Sequence, residues 1–327
     1  MLSNLFTQQD MSRRSLLIGG GVGLALPLLA PAPAGAASVT ITEPRFDSAA
    51  EMLKLFVKMS GDTSGQNYGG WYSGHAFAVI PGAMIQPLFG FSGFGLGSDR
   101  PQPDGTFHHL WKEVGYYTDL KTGGVLESWT NPLNGAACEV MPIHNRSVNF
   151  TLSATLPDGS ALEKAGMTFM NGNFARADDP ARPYGIPYTV IGDQISVFSD
   201  SVGQVPNRLD PAVWKRESTG SKISVGEFFM ITGSLREALD PAVTRVDATG
   251  SWTRIGPFLP WMLMGSHPGH LFYRSATRKI AGPQALPTDL VAYTKTRYPE
   301  FLEFPDDWTI PMESSWEVYK RERKPQP

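Results

Sequence analysis

Residues 116–135 read YYTDLKTGGVLESWTNPLNG, and the reading of this stretch decides the fold. Asp119-Leu120-Lys121-Thr122-Gly123-Gly124 is polar and glycine-rich between segments rich in aromatic and β-branched residues, which predicts a hairpin. On its return arm, residues 125–130, Glu127 and Trp129 share one face with Asn131 at the period of two, so a carboxylate, an indole and an amide point the same way. Working outward, residues 71–80, 106–118, 137–143 and 147–156 are β-rich and bounded by Gly, Pro, Asn or Asp, as in an antiparallel meander. Residues 188–199, 222–232, 242–254 and 270–274 are strand-like as well. Gly90-Phe91-Ser92-Gly93 reads as a glycine-rich turn.

Two segments carry a helical period. Ala49, Met52, Leu53, Phe56 and Val57 recur at intervals of three and four across residues 46–59, with Gly61 as the stop. Pro287 opens a second at 286–298, with Leu290, Val291 and Thr294 on one side. Residues 157–187 have little periodicity and several strand breakers, the pattern of a binding loop, a lid or a surface excursion. The expected fold is therefore mainly β: a single-domain antiparallel β-barrel, lipocalin/calycin-like, with an N-terminal and a C-terminal helix. Several strands are apolar on both faces, as when one face lines a pocket and the other carries packed helices. No regular strand–helix alternation and no G-x-G-x-x-G or G-x-x-x-x-G-K stretch points to a parallel α/β nucleotide fold, so no nicotinamide or flavin cofactor is expected.

The first 36 residues are set apart. Ser12-Arg13-Arg14-Ser15 precedes an apolar run from Leu16 to Leu29, and Ala34-Gly35-Ala36 offers a small-x-small cleavage site. This is the pattern of a twin-arginine export signal. Glycines and Pro27 interrupt the run, which is short for a membrane span of about 20 residues. Residues 37–327 are then expected to form one β-barrel domain in the periplasm, with no membrane contact after cleavage. Cys138 is the sole cysteine, so no disulfide can form within the chain, and its apolar neighbours suit a small buried side chain. A net charge of −3 and a pI near 6.1 give no long-range pull toward nucleic acid or anionic lipid. The one basic run, Lys320-Arg321-Glu322-Arg323-Lys324, reads as a solvated tail.

Sharp catalytic motifs are missing: there is no H-E-x-x-H, C-x-x-C, EF-hand loop or Gly-x-Ser-x-Gly elbow. Six histidines remain, and His75, His109 and His144 with a carboxylate would be the natural ligands of a metal, although their spacing is not diagnostic. More coherent is a mixture of aromatic walls and few polar groups, the composition of a small-molecule pocket. Trp71, Tyr72, His75, Trp111, Tyr116, Tyr117, Trp129, Trp252, Trp261 and Tyr273 supply rings with polar handles; Glu113, Glu127, Asn131, His144, Asn145 and Arg254 are able to orient or protonate a ligand.

Three blocks carry a resemblance. Tyr116–Gly123 followed by Leu126-Glu127-Ser128-Trp129-Thr130-Asn131-Pro132, then Trp252-Thr253-Arg254-Ile255-Gly256-Pro257-Phe258-Leu259-Pro260-Trp261-Met262-Leu263-Met264-Gly265, and finally Glu313-Ser314-Ser315-Trp316 resemble the signature segments of the family catalogued as domain of unknown function 1838. The resemblance spans most of the mature chain and transfers no catalytic residue. On the residues themselves, an acid–base lyase or isomerase acting on an apolar aromatic small molecule is expected, for instance formaldehyde loss from a lignin- or phenylpropanoid-derived compound. His75 or His144 would be the base, Tyr116 or Tyr117 the oxyanion donor, and Glu127 a further acid–base group. Trp129, Asn131, Asn145, Arg254, Trp261 and Tyr273 would hold the substrate. A non-catalytic carrier of a hydrophobic ligand and a His-ligated metal enzyme are the alternatives, and oligomeric state is left open.

Overall fold

The computed structural model describes residues 46, 48–154, 168–170 and 187–326. The first 36 residues, expected to be an export signal, and most of the irregular 157–187 segment lie outside these residues. Arg45–Pro327 cluster as one compact unit. Among the described residues no helix is long and apolar enough to cross a membrane.

The chain opens with α1 (Ala49–Ser60), started by a reciprocal capping box between Ser48 and Glu51 and ended at Gly61. Strands then follow in long antiparallel ladders: β1 (Asn67–Val79), β2 (Gln86–Pro101) and β3 (Phe107–Thr118). Short strands come next: β4 (Ser128–Thr130), β5 (Ala137–Glu139), β6 (Ile143–Asn145), β7 (Phe150–Leu152), β8 (Thr168–Met170) and β9 (Tyr188–Ile191). Long strands resume with β10 (Gln194–Pro206) and β11 (Lys222–Ser234). The short helix α2 (Leu235–Leu239) precedes β12 (Ala248–Gly256) and β13 (His270–Ile280); α3 (Thr288–Arg297) and α4 (Ser315–Glu322) finish the chain. Eleven strands form one sheet in the order β6-β3-β2-β1-β13-β12-β11-β10-β8, with β7 on β3 and β9 on β10; β4 and β5 pair separately.

The mainly β, antiparallel expectation holds. Among the described residues no ladder joins the two ends of the sheet, yet the sheet is strongly bent. Six ladder steps separate β3 from β10, which in a flat sheet would hold them about 29 Å apart. Phe107 of β3 nonetheless belongs to the same buried cluster as Ile195 and Val197 of β10, around Met52, Leu53, Val57 and Met59 of α1. The sheet is a trough, and α1 lies between its rims. Each of those helix side chains contributes about 2 kcal/mol by leaving water. On the outer face α3 and the Pro299–Leu302 turn cover Phe94, Leu96, Val114 and Tyr116.

Several local expectations are corrected. Gly90-Phe91-Ser92-Gly93 is no turn but the middle of β2, the longest strand. Its glycines make room for neighbours: a Cβ on Gly95 would fall inside the Trp111 indole, and one on Gly93 would sit 2.5 Å from the Tyr72 hydroxyl. The 119–124 turn is present, with Asp119 Oδ1 accepting from Lys121 and Thr122 N–H and Gly123 at φ 71°. Its return arm touches β3 only at the Thr118–Val125 bridge, and β4 pairs with β5 instead. The 137–143 segment is two strands, because Pro142 interrupts it. The basic C-terminal run is not a free tail: Lys320 and Arg321 complete α4, Arg321 pairs with Glu313, and Arg323 pairs with Glu139.

Candidate functional site

The two faces of the sheet follow from register. Tyr72 pairs with Gly93, Gly93 with Gly115, and Phe91 with Tyr117, so Tyr72, Phe91, Trp111, Glu113 and Tyr117 face the inside of the trough. Ladder partners across β13, β12 and β11 add Tyr273, Arg254 and Glu227 in one row, and Trp252 and Phe229 in the next. Curvature brings this row together. Phe91 of β2 stands 5.8 Å from the Tyr273 ring and 6.1 Å from Trp252, three strands away.

At the centre lies Glu113. Its Oε2 accepts a 2.8 Å bond from Asn145 Nδ2, because Asn145 is its ladder partner on β6. Burial raises the Glu113 pKa; hydrogen bonding from Tyr72 and Asn145 pulls the other way, and Glu227 and Arg254 act on it across the trough. Arg254 Nη1 donates to Glu227 Oε1 at 2.8 Å, with about a third of each side chain open to solvent. The Tyr72, Tyr117 and Tyr273 hydroxyls are all driven well above their ordinary pKa, first by burial, so each is a neutral donor. Trp252 Nε1 and Trp261 Nε1 are buried with no hydrogen-bond partner. Buried polar atoms without partners are rare and costly, and a ligand oxygen would satisfy them.

The residues expected from sequence divide between this trough and the layer outside it. Asn145, Arg254, Tyr273 and Tyr117 join the trough. Tyr116, Tyr117, Glu127 and His144 line a second cleft of about 200 Å³ together with Tyr293, Arg297 and Tyr298. There the polar groups already have partners. Tyr116 Oη shares a 2.9 Å bond with Thr294, Glu127 pairs with Arg297 and accepts from Tyr293, and His144 Nε2 accepts from Arg146 at 3.3 Å. His144 is packed against Tyr298 and Phe301, and burial first, then Arg146, lowers its pKa to about 4. His75 is brought to neither place: its β1 position faces outward, exposed beside Phe77. Nor do His75, His109 and His144 meet; among the described residues no group of three or more His, Cys, Asp or Glu is arranged to hold a metal.

Trp129, Asn131 and Trp261 meet at a third point. Trp129 and Trp261 cross at 5.7 Å, and Asn131, fully buried, donates to the Met262 carbonyl at 2.8 Å. Asn134 donates to the carbonyl of Leu263, whose φ of 55° turns the backbone toward it. Ser315 joins from the start of α4, accepting from His144 N–H and donating to Asn145. The three segments singled out in the sequence thus meet around Tyr117, Trp261 and Trp316, where they buttress one end of the trough. Glu127 leaves the shared face with Trp129 and Asn131 because the strand begins only at Ser128.

Sequence reading missed Glu227 and the pairing of Asp99 with His109. Asp99, fully buried, holds His109 Nδ1 at 2.6 Å on the same inner face. The period of two along His109, Trp111, Glu113 and Tyr117 carried that signal. Cys138 is buried. Residues 65–323 match the model of a family described as Protein of unknown function (DUF1838). No curated protein matches the chain.

Proposed function

Since the chain belongs to the DUF1838 family, whose function is unknown, kinship supplies no activity, and we propose from the trough itself that the protein is an acid–base lyase or isomerase for an apolar aromatic small molecule. The observation that carries the reading is the convergence of a buried carboxyl with raised pKa, three neutral tyrosine hydroxyls and the Arg254–Glu227 pair on one aromatic wall. Such a wall with few convergent polar groups suits a small ligand. Arg254 meets an acidic or phenolic group, Trp252 and Phe91 hold the ring, and Glu113 takes the place first expected of His75 or His144.

For an aryl-propanoid substrate with a terminal hydroxymethyl group, ionised Glu113 takes the hydroxyl proton. The carbon–carbon bond breaks to release formaldehyde, and its electron pair forms a double bond while an oxygen leaving group departs, protonated by a tyrosine. In this reading the trough serves as a barrel-like enclosure of the lipocalin kind, and the twin-arginine signal delivers the folded chain to the periplasm. The test is formaldehyde release from such compounds by the parent and by Glu113→Gln. Loss of at least a hundredfold in kcat is expected for the variant, while Arg254→Gln chiefly raises KM. The same wall, with its tyrosines neutral and Arg254 already paired, also suits a carrier. Saturable quenching of tryptophan fluorescence without turnover, unaffected by Glu113→Gln, would establish that alternative and end the lyase reading.

A further inference from the structure

Beside the C-terminus of α1 is a cleft of about 470 Å³ lined by Trp71, Arg245, Asp247, Arg278, Lys279 and Ile280. It adjoins a second of about 250 Å³, with which it shares Asp247 and Arg278 and whose wall includes Thr232, Ser234 and Thr249. The pair is distinct from the aromatic trough: Trp71 and Arg278 are ladder partners on the outer face, opposite to Tyr72.

Together the two clefts carry two guanidinium groups and one amine against the carboxylates of Asp193 and Asp247. Arg146, Arg208, Arg254, Arg297, Arg321 and Arg323 each have a glutamate within 4 Å. Arg245 and Arg278 have no such acid among the described residues. Lys279 is fixed in place, its Nζ donating to the carbonyls of Lys58 at 2.8 Å and Gly61 at 2.9 Å. Burial first, and then Arg245, lowers its pKa to about 7, with Asp62, Asp99 and Asp247 pulling the other way. Two guanidinium groups at one cleft with no acid in contact favour an anion, and they match the paired oxygens of phosphate and carboxylate.

We propose that this cleft binds a small polyhydroxylated molecule through a phosphate or carboxylate group, with Arg245 and Arg278 on the anion and the Thr232–Thr249 wall on its hydroxyls. The experiment is calorimetric titration of the full chain with inorganic phosphate and, separately, with gluconate, each against sodium chloride of matched ionic strength. Saturable binding of either anion is expected, weakened about tenfold or more by Arg278→Gln and by Arg245→Gln. Arg278 is exposed, so Arg278→Gln is expected to keep the parent melting temperature, which shows that the loss is local. Preference for phosphate would assign a phosphorylated ligand, and preference for gluconate a sugar acid. Absence of binding beyond the chloride control, or undiminished binding in folded Arg278→Gln, overturns the proposal.

Discussion

Protonation of His144 works against the fold in acid. Its folded pKa of about 4 lies below the ordinary 6.5, so the folded state binds fewer protons than the unfolded chain. The stability it contributes is complete above pH 6.5 and is lost as pH falls toward 4, a difference of about 3 kcal/mol. Urea melts of the parent are expected to lose stability across that window, and those of His144→Gln to lose distinctly less. Glu113 has the opposite sign. Its pKa is raised, so its contribution is full below the ordinary carboxyl range and declines as pH rises through the folded value. Glu113→Gln is therefore expected to flatten the decline above the ordinary carboxyl range, measured by the same melts. Both groups were visible in the sequence as ionisable residues among aromatics. Their roles were not, because alternation assigns residues to two faces without saying which is inside: His144 pairs with Val114 on the outside, and its neighbour Asn145 with Glu113 on the inside.

At the scale of elements, β2 shows why a strand can escape notice. Four glycines between residues 90 and 97 oppose strand propensity, and their reason lies in β1 and β3, where Tyr72 and Trp111 lean across them. Gly95→Ala is expected to cost about 1–3 kcal/mol by overpacking against Trp111, checked by thermal unfolding. The hairpin at 119–124 was legible because Asp119 and Gly123 determine its turn locally. The pairing of its return arm was not, since β4 turns at 131–136 to pair with β5, and Asn131 in that turn is held by the distant carbonyl of Met262. Asn131→Ala removes that buried donor and leaves the carbonyl unsatisfied. A loss of about 1–3 kcal/mol is expected, together with a changed near-ultraviolet signal from Trp129 and Trp261.

For the whole molecule, α1 joins what the ladder keeps apart. Its helical period was plain in the sequence, whereas its place between β3 and β10 depends on sheet curvature that no local pattern encodes. Leu53→Ala is expected to cost about 2–5 kcal/mol, and circular dichroism and tryptophan fluorescence should still report one coincident transition, because both rims share the helix. The ladder between β1 and β13 runs from Gly69–Ile280 to Val79–His270, joining the first and last strands of the sheet. A ribosome that has delivered everything up to α2 has therefore made only two half-sheets with raw edges. The nascent chain cannot bring them together until β12 and β13 have emerged, and until then its unpaired strands are open to whatever holdase or neighbouring chain reaches them first.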